Sequence, residues 1–283
     1  MLTLLACPRP FRDGSALAQK NAIGSWAQLR PRPEIILFGD ETGTADLCRQ
    51  MGFRHVPDLR RNAYGTPLVN DLLTKGQTLA SAEWVCYLNA DIILLNSFTE
   101  GFQRMSHWGD RWVLIGGRMD LEVSGSLDFA KSEWEEDLKK KVKERGKPMQ
   151  ISSDYFVFRK GFYEEVPPFA LGRGCFDNWF LWYARKKRVP LVDATPSVLV
   201  VHQSHWSPFG GQPVFPYHQE RIDNAALIGP WRSSFVLADA THELLSCGVR
   251  TRGRRAWANR METSRRMARD LAGRWYRRWI PKR

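Results

Sequence analysis

The chain has 283 residues, 43% of them hydrophobic and 12% aromatic, with a formal net charge of +12. That composition suffices for one large core or two small ones and excludes a disordered chain. No apolar run approaches the ~18 residues of a spanning helix, so no transmembrane segment is expected. The five cysteines (Cys7, Cys48, Cys86, Cys175, Cys247) are odd in number and widely spaced. They read as reduced thiols of a cytoplasmic protein, not as a disulfide framework or zinc site.

The charge is concentrated at one end. Residues 249–283 carry 13 Lys+Arg against 2 Asp+Glu, which leaves 29 against 28, a net of +1, for residues 1–248. A nearly neutral body weakens any case for nucleic-acid binding. The same composition shift divides the chain into a domain over 1–248 and a basic tail over 249–283.

In chain order, Leu2–Ala6 reads as a strand; with no basic segment before it, it is a poorer signal peptide. Ser15 is expected to cap a helix carrying Ile23, Trp26 and Leu29 on one face, ending near Pro31 and Pro33. Ile35–Phe38 is a second strand, Thr44–Met51 a short helix closed by Gly52, and Arg54–Val56 a third strand. Thr66-Pro67 predicts the start of a helix running to about Ala82. Trp84–Leu88 is a buried strand, followed by the apolar run Ile92–Leu95, a helix near Phe98–Met105 and a strand at Trp112–Ile115. Strands alternating with helices predict a mostly parallel central sheet flanked by helices.

The second half is more mixed. Lys131–Arg145 is a charged helix, and Ile151–Phe158 is strand-like with Asp154 inside it. Phe176, Trp179, Phe180, Tyr183 and Ala184 fall on one helical face. Pro190–Val192 and Val198–Val201 are short strands, the second running into His202, and residues 203–217 form a Pro- and Gly-rich loop.

Three constellations carry candidate chemistry. Asp40 and Asp91 each follow an apolar strand, and a carboxylate at the carboxyl end of such a strand sits where α/β sheets bind ligands. Two neighbouring parallel strands would bring both to one rim. Asp177 falls near the start of the aromatic helix, where the helix dipole favours the anion and lowers its pKa if nothing opposes it. It suits either a general base or a helix cap. His202 and His205 close the Val198–Val201 run, and imidazole is a common ligand for Mn2+ or a similar ion.

Taken in order, these segments resemble the GT-A-fold glycosyltransferases, in particular bacterial family-2-like enzymes, over about residues 1–230. Asn89-Ala90-Asp91 stands where that family carries a short Asp-X-Asp motif after a strand. Asp40 in ILFGD matches its base-contacting acid, Asp177 in CFDNW its catalytic base, and His202 its late metal ligand. The resemblance implies a nucleotide-sugar donor bound by Asp40, Arg61, Asn62, Asn89 and Asp91. It implies a divalent cation (Mn2+ or Mg2+) on Asp91 and His202, and an acceptor groove using Asp154 and Trp179. The chain departs from the pattern at Asn89, which leaves Asp91 as the only acid of the motif. A catalytically inactive, glycan- or membrane-associated binding protein of the same fold is the alternative that this departure favours.

Residues 254–280 predict an amphipathic helix with Trp257, Met261, Leu271, Trp275 and Trp279 on one side and arginines over much of the rest. Such a helix suits an anionic membrane surface at the inner face of the membrane, or packing on the body. Membrane attachment would fit a glycan or lipid-linked acceptor.

Overall fold

The computed structural model describes residues 1–149, 153–203, 216–228 and 235–253. Strand β1 (Leu2–Ala6) has all five side chains buried, as an unbroken apolar run in a covered parallel sheet requires. Helix α1 (Asp13–Gln28) returns the chain to β2 (Glu34–Phe38), which pairs parallel with β1. Helix α2 (Thr44–Met51) ends at Gly52, whose φ of 68° is the left-handed conformation a glycine tolerates, and β3 (Arg54–Val56) follows. Helix α3 (Val69–Leu79) leads to β4 (Trp84–Leu88), which pairs parallel with the other side of β1. Along β4, Trp84, Cys86 and Leu88 pack into one hydrophobic layer while Val85 and Tyr87 pack into the other. This strand is therefore the seam between the two halves of the core.

Beyond β4 come β5 (Ile92–Leu94), α4 (Asn96–Trp108), β6 (Val113–Ile115), β7 (Arg118–Leu121), α5 (Trp134–Arg145) and β8 (Lys147–Met149). The rest comprises β9 (Tyr155–Arg159), α6 (Phe176–Lys186), β10 (Leu191–Asp193), β11 (Val200–Gln203), α7 (Tyr217–Ile228) and the hairpin β12 (His242–Leu245) and β13 (Gly248–Thr251). The large sheet has nine strands in the order β13-β12-β10-β6-β9-β4-β1-β2-β3. It is parallel except at β9, which runs antiparallel between β4 and β6, and at the edge strand β13. A four-stranded sheet, β5-β11-β7-β8, stands beside it. Trp26, fully buried on α1, donates its Nε1–H to the Ile92 carbonyl at 2.8 Å and so ties that helix to the small sheet.

Several expectations are corrected. Ser15 does not cap α1; it lies inside the helix, and its hydroxyl donates to the carbonyls of Pro10 and Arg12. Helix α3 starts at Val69, not at Pro67, because β-bridges from Pro67 to Arg61 and from Leu68 to Ala170 hold that segment extended. The strand around Asp154 starts at Tyr155, so Asp154 precedes it. The strands bearing Asp40 and Asp91 are not neighbours, since β1 runs between them. Residue 248 falls at the turn of the β12–β13 hairpin, and Arg252 beyond it pairs with Asp193 and Glu243. The predicted tail helix and His205 lie outside the described residues. No helix among the described residues is long and apolar enough to cross a membrane.

Candidate active site

The carboxyl ends of the parallel strands open onto a cleft of about 680 Å³. Its floor is the end of β4, where Tyr87 and Leu88 lead into Asn89, Ala90 and Asp91. The chain changes sheets at this turn: β4 belongs to the large sheet and β5, starting at Ile92, to the small one. Asp91 thus lies at the junction of the two sheets. Because β5 pairs antiparallel with β11 in a register that sets Ile92 opposite His202, the imidazole comes to the same place. His202 Nε2 is 3.7 Å from Asp91 Oδ2, and its Nδ1 is 2.9 Å from Asp120 Oδ1. A carboxylate has only lone pairs to offer, so Nδ1 donates its proton to Asp120, and the other ring nitrogen faces Asp91.

Asp154 enters from the other direction. Strand β9 is antiparallel to β4, so its first residues meet the last residues of β4 at the same rim. The Asn89 amide N–H donates to the Asp154 carbonyl at 3.1 Å, and Asn89 Nδ2 donates to Asp154 Oδ1 at 2.8 Å. Arg118 Nη1 donates to Asp154 Oδ2 at 2.5 Å, while its Nε donates to Asp120 Oδ1 at 2.8 Å. Burial would lower the Arg118 pKa, but Asp154 and Asp120 outweigh it and hold the guanidinium charged. Arg118 and Asp120 occupy alternate positions of β7, hence one face of that strand.

Asp177 sits in the first turn of α6 and lines the same cleft as Asp91. Cys175, two residues before it, has a φ of 71°, a left-handed conformation rare for a residue with a side chain. Asp177 Oδ1 is fully buried without a hydrogen-bond partner. Burial pushes the carboxyl pKa up to about 6, and the nearby Asp154 charge adds to the rise. The amide of Asn178 opposes this but does not prevail. The depression expected from the helix dipole is therefore overturned by desolvation.

The remaining candidates are spread more widely. Arg61 lines the cleft, donates to Glu41 at 3.0 Å and to the Gly65 carbonyl at 2.7 Å, and pairs with Asp40. Asp40 itself is exposed and does not line the cleft; Glu41 does. Asn62 is turned away, with its amide nitrogen donating to Glu220 at 2.8 Å and its carbonyl oxygen accepting from the amides of Tyr64 and Thr66. Trp179 does not reach the cleft. It is buried against Tyr183, with ring centroids 4.8 Å apart, and against Phe169.

Sequence reasoning missed Arg118, Asp120, Glu41, Arg173 and Glu220. The alternation of Arg118 and Asp120 was a readable signal for a strand with one charged face. Glu220 left no such signal. It is fully buried on α7, ion-paired with Arg173 at 2.5 Å and bonded to Asn62.

Among the described residues, no three His, Cys, Asp or Glu side chains converge as a metal cage. Asp91 and His202 nevertheless fit a two-ligand half-site. Two bonds of about 2.1 Å to one ion can span their separation, the remaining positions falling to phosphate oxygens and water. Asp120 behind His202 is the kind of partner that orients metal-binding imidazoles.

No protein-family profile matches the chain, and no curated protein resembles it in sequence. Its fold is similar to that of GalNAc-T7, solved with UDP, GalNAc and Mn2+, with a TM-score of 0.54 and 12% identity. That alignment covers 82% of this chain and 49% of the other. TarS 1–349 of S. aureus, in complex with UDP-GlcNAc, aligns at a TM-score of 0.49 and 10% identity over 81% of this chain and 66% of its own. The likeness to GalNAc-T7 gives the chain the GT-A fold, with a mixed central sheet between helices. It spans about half the length of the GalNAc-T7 chain.

Proposed function

We propose that this chain is a nucleotide-sugar-dependent glycosyltransferase, passing a sugar from a nucleoside-diphosphate donor to a hydroxyl of a glycan or lipid-linked acceptor. One observation carries the reading: Asp91 and Asp177 face one cleft, at the rim where a sheet of this kind binds its ligand. The donor end takes Asn89, Asp91 and Arg61. Asp40 pairs with Arg61, and Asn62 holds the turn of residues 62–66 that follows it.

Asp177 accepts the proton of the acceptor hydroxyl. As that proton leaves, the acceptor oxygen bonds the anomeric carbon and the bond from that carbon to the phosphate oxygen breaks. The electron pair of the broken bond departs with the diphosphate. A carboxyl group with a pKa near 6 is ionised at neutral pH yet basic enough to take a proton in the transition state. Arg61 helps to stabilise the negative charge on the leaving group. A divalent cation on Asp91 and His202 would supply Lewis-acid neutralisation of the same charge.

Asp154 lies between the two ends, bonded to Asn89 and electrostatically coupled to Asp177. Attachment of the basic tail to an anionic membrane at its inner face would bring a lipid-linked acceptor to the cleft. The test is donor hydrolysis by purified protein, lost in Asp177→Asn; undiminished hydrolysis in that variant would remove Asp177 as the base. The second reading, an inactive binder, is favoured by Asn89 and requires nucleotide binding with neither hydrolysis nor transfer in the native chain.

A further inference from the structure

The departure at Asn89 has a partner in the structure. Starting from Asn89, hydrogen bonds run to Asp154, from Asp154 to Arg118, from Arg118 to Asp120 and from Asp120 to His202. His202 Nε2 then faces Asp91, two residues from the starting point. Every link is compatible with its neighbours only if residue 89 donates. Asp154 pairs with Arg118 through Oδ2, and its Oδ1 accepts from Asn89 Nδ2 at 2.8 Å. An aspartate at 89 would set two carboxylates against each other at that distance, which is strongly unfavourable in a half-buried site. The contact does not depend on a flexible side chain alone. The backbone bond from Asn89 to Asp154 continues the ladder in which Leu88 pairs with Tyr155.

We propose that Asp154, held by Asn89 and Arg118, is the second carboxylate of the donor site, supplied across the β4–β9 pair in place of an acid at position 89. Asn89 is then a required donor and not a weakened ligand. Arg118 is a positioning residue, orienting Asp154 with one edge of its guanidinium and, through Asp120, His202 with another. A lysine there keeps the charge but lacks the fork that serves two carboxylates at once. This inference rests on the donor-site reading above and extends it to Asp154, which lines the cleft.

The experiment is a charge swap. Binding of UDP, GDP, CDP and ADP, each with Mn2+, is measured by calorimetry for the native chain, N89D, D154N and N89D/D154N, and each protein is also melted without ligand. Each single variant is expected to weaken binding of the preferred nucleotide about tenfold, the effect of losing one charge-assisted bond. In the double variant the new amide at position 154 donates to the new carboxylate at position 89 and accepts from Arg118. Its binding is expected to recover to within about threefold of native. Binding by N89D as tight as native or tighter would overturn the proposal, as would losses that multiply in the double variant. If the native chain binds none of the four nucleotides, the donor reading fails by itself. The melting temperatures still decide the pairing: a fall in N89D reversed in N89D/D154N supports it, and no reversal overturns it.

Discussion

Asp91 Oδ2 and His202 Nε2 lie 3.7 Å apart although 111 positions separate them in the chain, because β5 and β11 pair antiparallel with Ile92 opposite His202. The turn Asn89-Ala90-Asp91 passes the chain from one sheet to the other, and the imidazole arrives on the strand paired to its far side. His202 is thus placed by strand register, and Asp91 by the turn that leads directly into the strand paired with it.

Asp177 is predicted to govern the pH dependence of turnover. A general base works when deprotonated, so activity should rise with pH with a midpoint near the carboxyl pKa of about 6. Asp177→Asn should lower the rate by about 10²–10⁴-fold. A pH–rate profile of the native chain checks this; a flat profile from pH 5 to 8 would contradict it.

The same variant should be more stable. The folded carboxyl titrates above its ordinary value of 3.8, so between roughly pH 4 and 6 the native state binds more protons than the unfolded state. Stability contributed by this group therefore falls as pH rises through that window and stays low above it. Asp177→Asn removes the titration and should gain about 2 kcal/mol at pH 7, with little gain at pH 4. Urea unfolding at both pH values measures the difference.

How much of this was legible beforehand differs by element. β1, α2 and β4 follow the sequence closely because each is an unbroken apolar run or a short helix with a glycine stop, and local signals decide them. Ser15 and Thr66-Pro67 misled because their cap-like chemistry is spent elsewhere. Ser15 bonds backward to Pro10 and Arg12, and Thr66 precedes a stretch held by long-range bridges. The Asp91 and Asp177 sides of one cleft could be anticipated from strand-end and helix-start positions. The link from Asn89 through Asp154 and Arg118 to Asp120 could not. It depends on β9 running antiparallel inside an otherwise parallel region, and no local pattern encodes a strand's direction.

Arg173 is expected to matter for stability out of proportion to its exposure. Glu220 beneath it has no exposed side-chain surface, and although burial would raise its pKa, the bonds from Thr66, Asn62 and Arg173 hold it below the usual range. Arg173→Met leaves that carboxylate buried without its cation and should cost about 3 kcal/mol at neutral pH. The stability Glu220 contributes is present above its unfolded pKa and is lost as pH falls through its depressed folded pKa, so the cost should shrink in acid. Chemical denaturation at pH 7 and pH 3 tests both statements.

Cys175 holds a left-handed conformation just ahead of Asp177, and Gly172 and Gly174 before it have positive φ as well. Cys175→Gly should relieve about 1 kcal/mol of backbone strain without displacing α6. A lower melting temperature in that variant would show that the thiol packs more than its backbone strains.

The account rests above all on Asp91 as the donor-site carboxylate. The most direct measurement is calorimetric titration of the native chain and of Asp91→Ala with UDP, GDP, CDP and ADP, with and without Mn2+. The expected result is that the native chain binds one of these nucleotides, more tightly when the cation is present. Asp91→Ala should weaken that binding by about tenfold or more, and Mn2+ should no longer enhance it. Binding by Asp91→Ala as tight as that of the native chain would contradict the central claim.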